Sequence, residues 1–170
     1  MIKILSMILI ASGFALGGRC LAAFQSKRVT VLETLILMLS VIETQLRYAC
    51  LPVSDLLKVL DENPGLSELG FIKPCREKVC FGEAFPDAWR ESVEAETELC
   101  RLLASSSESL ASLGADIGST DLEGQLSCCE YYKQLFSREL AVQEEKSQKY
   151  SKLFPPLGLM LGISAAIIII

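Results

Sequence analysis

The chain has 170 residues, of which 16 are basic and 21 are acidic, and its net charge is −5. An acidic balance argues against a nucleic-acid-binding surface, because such surfaces depend on clustered Lys and Arg. The sequence contains no histidine, which excludes histidine as a catalytic base, a catalytic acid or a metal ligand. We therefore expect neither nucleic acid as a partner nor the commonest catalytic constellations.

The first apolar segment, Ile4–Gly18, follows Lys3 and continues beyond Arg19. Two interpretations stay open. As a secretory signal peptide, it would be cleaved near Ala15-Leu16-Gly17. As a membrane anchor, it reaches a sufficient length if the guanidinium of Arg19 lies at the interface while its stem stays in lipid. We favour the anchor.

A second apolar segment, Leu153–Ile170, carries no charge and ends in four isoleucines. Its 18 residues would span about 27 Å as a helix, close to the hydrocarbon thickness of a bilayer. We therefore predict three parts: an N-terminal transmembrane anchor (1–24), a cytoplasmic helical bundle domain (25–152) and a C-terminal transmembrane helix (153–170).

Basic residues lie on the inner flanks of both apolar segments, and the positive-inside rule then puts the middle of the chain in the cytoplasm. The predicted protein is a two-pass cell-membrane protein with both termini outside. Cysteine usage agrees, because the cysteines number seven and Cys128 and Cys129 are adjacent, a poor disulfide framework. The inner-flank cations are Arg19, Lys27, Arg28, Lys146, Lys149 and Lys152.

Apolar residues in the middle of the chain recur at the spacing of helices. In the first predicted helix, apolar residues recur at alternating steps of three and four and so form a stripe along one face. The opposite face is apolar too, which predicts that this helix lies at the centre of a bundle. The stripe consists of Leu32, Leu35, Leu39, Ile42 and Leu46, and the opposite side of Ile36, Met38 and Val41. Pro52 is suited to begin a second helix, which Asn63-Pro64-Gly65 would end.

The remaining helices are predicted from their apolar residues and ends. One helix begins near Pro86 and extends to Gly114 with at most one break. Thr120 and Glu123 fit a capping box at the start of the last helix, whose stripe is Leu122, Leu126, Cys129, Phe136 and Leu140. Pro155-Pro156 should kink or interrupt that helix before the membrane. The predicted fold is all-α, an antiparallel bundle of about six helices between two terminal transmembrane helices.

No pattern of residues indicates catalysis, a metal or a cofactor. Cys75 and Cys80 have four residues between them, which is not a zinc-ligand spacing, and buried structural thiols are favoured. The stretch Gly114–Gly118 lacks the lysine and the preceding strand of a phosphate-binding loop. We therefore predict a non-enzymatic protein without catalytic residues, metal or cofactor.

Four motifs follow one another along the chain: Glu43–Tyr48 with Pro52, Ala88-Trp89, Leu113-Gly114 with Ile117-Gly118, and Tyr150–Ile170. In this order and spacing they resemble the stage III sporulation protein AB family. This family resembles the helical cytoplasmic domain of type II secretion platform proteins. The resemblance implies a role in the channel complex between mother cell and forespore. The implied partners are an assembly ATPase, similar to stage III sporulation protein AA, and other membrane proteins of that complex.

The sequence departs from the family pattern in three places. Gln45 stands where a second acid is usual, which weakens an acidic contact patch. Leu51 replaces a threonine before the proline, which removes a helix cap worth about 1 kcal/mol. Pro155-Pro156 interrupts the final junction.

The partner-binding residues implied by the resemblance are Glu43, Arg47, Tyr48, Pro52 and Trp89. Glu43 and Arg47 are four apart, so an intrahelical ion pair is as well supported as a partner contact. For Tyr48 and Trp89 we favour positions in the core over positions at an interface. Gly114 and Gly118 should end one helix and shape the next turn.

Two glycine pairs have the spacing at which membrane helices approach closely, Gly13 with Gly17 and Gly158 with Gly162. They would pack the two segments together or join copies in a homo-oligomer. Two hypotheses of function remain: a non-enzymatic membrane platform component that engages an ATPase during sporulation, and a signal-peptide-processed extracytoplasmic helical binding protein tethered by its C-terminus.

Overall fold

The structure is a computed structural model that describes the backbone of residues 2–48, 52–119 and 121–169 and the side chains of residues 23–48, 52–104, 106–117 and 121–149. Seven α-helices occur in these ranges: α1 (Ile2–Tyr48), α2 (Val53–Asp61), α3 (Ile72–Cys80), α4 (Phe85–Ala95), α5 (Thr97–Leu103), α6 (Ser107–Ser119) and α7 (Leu122–Ile169). Two short 3₁₀ turns lie at Pro64–Leu66 and Ala104–Ser106. Because these ranges contain no strand, the predicted all-α class is confirmed, with one helix more than the six expected.

The chain forms two compact units. The bundle unit is Thr30–Leu140, and the terminal unit combines Met1–Val29 with Ala141–Ile170. Both α1 and α7 contribute residues to each unit, so the domain limits predicted at residues 24 and 152 fall within long helices. A change of composition along a helix does not require the helix to end there.

The central position predicted for the first stripe is confirmed. Leu32, Leu35, Leu39 and Ile42 are at most 1% exposed, and Leu46 is also buried. On the opposite side, Met38 is fully buried while Ile36 and Val41 are half-buried.

One helical stretch in the described part of the chain, Ala23–Tyr48, is long enough to cross a membrane and contains an 18-residue window with a mean hydropathy of 1.6. This stretch contains the buried side chains that form the centre of the bundle unit. The central helix of a bundle satisfies the same criteria of length and composition. The predicted membrane segments, 1–24 and 153–170, lie almost entirely outside the described side chains and stay predictions.

The second helix begins and ends close to where the sequence predicts. Pro52 precedes α2 as its N-cap, in an extended conformation, and its carbonyl accepts hydrogen bonds from the amides of Asp55 and Leu56 at 3.0 Å. After α2, the side chain of Asn63 accepts a hydrogen bond from the amide of Gly65 at 2.9 Å and caps the first 3₁₀ turn. This local bond explains why the chain turns at Asn63-Pro64-Gly65.

The helix expected from Pro86 to Gly114, with at most one break, is instead three helices, α4, α5 and α6, separated by two breaks. The first break is at Glu96, whose carboxylate accepts a hydrogen bond from the amide of Gly70, ahead of α3, at 3.2 Å. The second is at Ala104, which has a φ of +47°. A positive φ is unfavourable for a residue with a Cβ and is incompatible with a continuing α-helix.

Gly114 was expected to end a helix, and this prediction is wrong: α6 continues to Ser119. Helix α6 packs against α4 at this glycine. A Cβ added at Gly114 would lie only 2.5 Å from Cγ of Trp89. The glycine is therefore a point of close helix approach. Gly118, also expected at a helix end, is the next-to-last residue of α6.

The capping box predicted at the start of α7 is not tested, and Asp121 provides a local hydrogen bond there. The side chain of Asp121 accepts a hydrogen bond from the amide of Gly124 at 3.0 Å, whereas Thr120 lies outside the described residues. Of the predicted stripe, Cys129 and Phe136 are fully buried, but Leu122 is 44% exposed, because it lies in the first turn of the helix.

The sequence predicts a kink or an interruption at Pro155-Pro156. An interruption does not occur, since α7 continues through both prolines to Ile169, and the kink stays a prediction. Each proline removes one amide donor, and the bonds of the flanking turns carry the helix onward.

Candidate partner-binding surface

The last turn of α1 carries three of the predicted partner-binding residues. The Nη2 atom of Arg47 lies 3.0 Å from Oε1 of Glu43, so the expected pair four residues apart does form. The Arg47 side chain is half exposed, and Tyr48, which follows it, is 81% exposed. The core position favoured for Tyr48 is therefore wrong, because α1 ends at this residue and no neighbouring helix covers its ring in the described residues.

Glu43 joins α1 to α7 as well as to Arg47. Its second carboxylate oxygen accepts a hydrogen bond from Nζ of Lys133 at 3.1 Å. This bond, followed by the one from Arg47, holds the pKa of the Glu43 carboxyl below its ordinary value. Glu43 thus accepts hydrogen bonds from two cations, which anchors the end of α1 against α7 within the bundle unit.

An open depression lies between α1 and α7 beside this ion pair. The aromatic side chain that lines this depression is Tyr131, which is 62% exposed. Beside it, Glu130 accepts a hydrogen bond from Nε2 of Gln134 at 3.1 Å. The lining residues are Glu43, Arg47, Leu126, Ser127, Glu130, Tyr131 and Gln134. We call Arg47, Tyr48, Pro52 and this depression the α1–α7 surface.

Pro52 is exposed, and three residues separate it from the end of α1. The residues that join it to Tyr48, 49–51, lie outside the described part of the chain. Pro52 therefore belongs to the same region of the sequence as Arg47 and Tyr48, and it is accessible to a partner.

Trp89 is a core residue, as the favoured interpretation held. It is 1% exposed, and its Nε1 donates a hydrogen bond to the carbonyl of Leu110 in α6 at 2.8 Å. Its ring packs edge-on against Phe71, with ring centroids 5.0 Å apart. It packs at a tilt against Phe85, with ring centroids 5.6 Å apart. Because no part of the ring is accessible, Trp89 stabilises the bundle and does not contribute to the α1–α7 surface.

The glycine pairs proposed for membrane packing, Gly13 with Gly17 and Gly158 with Gly162, lie in α1 and α7. What packs against them lies outside the described residues, so this prediction is not tested.

Sequence reasoning missed Lys133 and Tyr131. Lys133 is 90 residues from Glu43, and no local pattern indicates a pair at that separation. Tyr131 could have been found, because buried Cys129, Tyr132 and Phe136 define one face of α7 and leave Tyr131 outside it.

Three buried titratable groups of the bundle unit, Cys75, Cys129 and Tyr132, have raised pKa values that favour their neutral forms. Burial raises the pKa of the Cys75 and Cys129 thiols to about 12, so both are inert at neutral pH. Cys80 is exposed. Burial, and then a 2.6 Å hydrogen bond to Asp116, raises the pKa of the Tyr132 hydroxyl well above its ordinary value.

Among the residues that the structure describes, no group of three or more Cys, Asp or Glu side chains is arranged to hold a metal ion. The α1–α7 surface offers a partner two exposed aromatic rings, an arginine fork and several polar side chains.

The family model for stage III sporulation protein AB matches residues 3–170. The chain belongs to the stage III sporulation protein AB family. No match was found among curated proteins or among solved structures. The match covers both the bundle unit and the terminal unit, so the α1–α7 surface lies within the part of the chain that defines stage III sporulation protein AB.

Proposed function

We propose that this protein is a non-enzymatic membrane platform component of the channel complex between mother cell and forespore. The bundle unit acts on the cytoplasmic side, in the mother cell, and engages an assembly ATPase similar to stage III sporulation protein AA. Family membership and the all-α bundle support this function. The predicted membrane segments at both ends would hold the bundle unit at the membrane, beside the other proteins of the complex.

The observation that carries the proposal is the exposure of Tyr48 next to Arg47 at the end of α1. Tyrosine and arginine are enriched among the residues that dominate binding energy at protein interfaces. Tyr131 adds a second exposed ring on the α7 side of the depression. We assign ATPase docking to these side chains and leave the Glu43 carboxylate to hold α1 against α7.

The test compares two exposed aromatic residues of the bundle unit. Tyr48→Ala should weaken binding of the full-length protein to its ATPase at least tenfold, the loss typical of an interface anchor. The matched control is Phe81→Ala, which removes a ring that is 90% exposed at the end of α3, away from α1 and α7 in sequence. Binding is measured by titrating labelled protein in detergent with the ATPase.

Reversing the charge of Arg47 tests the same docking surface independently, and the same change at exposed Arg90 is the control. Arg47→Glu should lower ATPase affinity and spore formation, whereas Arg90→Glu should change neither. Equal affinities for Tyr48→Ala, Arg47→Glu and the controls would place the docking surface elsewhere on the bundle.

The alternative, an extracytoplasmic binding protein, predicts a shortened mature N-terminus. All five cysteines in the described side-chain ranges are free thiols, including exposed Cys80, which suits a reducing compartment. Mass spectrometry of the mature protein separates the two functions, because cleavage near Gly17 would remove the N-terminal anchor that the platform function requires.

A further inference from the structure

Charge is distributed very unevenly between the two units. Nineteen of the 21 acidic side chains but only nine of the 16 basic ones lie in Thr30–Leu140, so the bundle unit has a net charge of −10. The remaining two acidic and seven basic side chains give the terminal unit a net charge of +5. An overall charge of −5 thus conceals a strongly basic terminal unit.

Six of the seven cations of the terminal unit lie next to the two uncharged segments. Arg19, Lys27 and Arg28 follow the first segment along α1. Lys146, Lys149 and Lys152 precede the second along α7 and recur every third residue, so they share one side of that helix. Residues of α1 and α7 belong to one compact unit. We call its four cations with described side chains, Lys27, Arg28, Lys146 and Lys149, the basic patch.

One lysine of the patch forms an ion pair with a carboxylate of the terminal unit. Oε1 of Glu145 lies 2.7 Å from Nζ of Lys149, with both side chains about two-thirds exposed. Exposed pairs one helical turn apart are weak and exchange readily with other ions. Lys27 and Lys146 are also exposed to solvent, so the patch is accessible to an anionic surface.

We propose that this basic patch binds the headgroups of anionic phospholipids at the membrane surface. The occupant is a bilayer and not a soluble protein, because the cations flank the apolar segments on both helices. Clusters of four to eight Lys and Arg beside membrane helices attract anionic lipids, by about fivefold in affinity for each cation near the surface. The inference rests on the membrane location in the proposed function and adds a lipid preference to it.

The test uses the full-length protein reconstituted in phosphatidylcholine vesicles with and without phosphatidylglycerol. Electron paramagnetic resonance of spin-labelled lipids measures the preference of the protein for phosphatidylglycerol over phosphatidylcholine. The wild type should show a clear preference that weakens as salt rises, because salt screens surface charges within about 8 Å at physiological ionic strength. The double variant Lys146→Gln, Lys149→Gln should lose at least half of this preference.

Two controls separate lipid binding from other effects. Lys58→Gln, Lys73→Gln removes two exposed lysines from the bundle unit and should leave the lipid preference unchanged. Lys146→Arg, Lys149→Arg keeps the charges and should retain the preference even if the glutamine variant folds poorly. A wild-type preference that is absent, insensitive to salt or equally reduced by the Lys58 and Lys73 changes would overturn the proposal.

Flotation of the vesicles after an alkaline wash distinguishes this failure from failure of the proposed function. If the wild type floats with the vesicles and binds the ATPase but shows no lipid preference, only the lipid inference is wrong. If the wild type does not remain with the vesicles, the membrane location fails, and the lipid inference fails with it.

Discussion

Replacing Gly114 by alanine tests the closest approach between helices in the bundle unit. An alanine Cβ would lie 2.5, 2.6 and 2.7 Å from Cγ, Cδ1 and Cβ of Trp89. Ordinary carbon contacts are about 3.5–4.0 Å, so each of the three would be about 1 Å too short. Cβ and Cγ lie on the axis about which the indole ring rotates, so rotation of the ring alone cannot move these two atoms away.

The expected loss of stability follows from two opposing effects. Overpacking a core costs about 1–3 kcal/mol, and three simultaneous contacts place Gly114→Ala near the upper value. Alanine in a helix gains about 1 kcal/mol over glycine. We therefore expect a net loss of about 2 kcal/mol and, for a chain of this length, a melting temperature lower by roughly 4–8 °C.

Trp89 is the one tryptophan in the chain, so its fluorescence reports on the site of the change. Thermal unfolding of the full-length protein in detergent, followed by tryptophan emission and by circular dichroism at 222 nm, measures the loss. Ser112→Ala in the same helix is the control, because its hydroxyl bonds only the Glu108 carbonyl of its own helix. An unchanged or raised melting temperature for Gly114→Ala would refute the close contact.

Two further changes test buried polar groups of the bundle unit. The hydroxyl of Ser92, 2% exposed, has no hydrogen-bond partner, so Ser92→Ala should stabilise the protein by about 1 kcal/mol in the same unfolding assay. Burial raises the pKa of the Glu96 carboxyl above its ordinary 4.5, so folding favours the protonated carboxyl. The stability that this carboxyl contributes is fully present below about pH 4.5 and is lost as pH rises through the raised pKa. Glu96→Gln should therefore raise the melting temperature at pH 7 but not at pH 4; an equal effect at both would contradict this.

The helices that sequence patterns predicted well are those fixed by local interactions. The stripe from Leu32 to Leu46 is buried because its period matches the turn of a helix facing the core. Asn63 ends α2 through a bond to an amide two residues away. Neither feature requires knowledge of which helices become neighbours.

The features that sequence patterns missed depend on residues far apart in the chain. The break at Glu96 is accompanied by a hydrogen bond with Gly70, 26 residues earlier. The role of Gly114 depends on Trp89 of a different helix. A glycine that ends a helix and a glycine that admits a neighbouring helix look alike in one sequence, since both positions require the absence of a side chain.

Trp89 and Tyr48 show how the same ambiguity affects a functional surface. Both are aromatic residues with a polar atom, and the sequence favours the core for each. Helix α6 supplies a carbonyl for the indole of Trp89 and allows its close approach through Gly114, so Trp89 is buried. Tyr48 is the last residue of α1 and remains 81% exposed. Because a partner can reach only the exposed ring, the candidate docking surface includes Tyr48 and extends across the depression to Tyr131, while Trp89 sets the packing of α4 on α6.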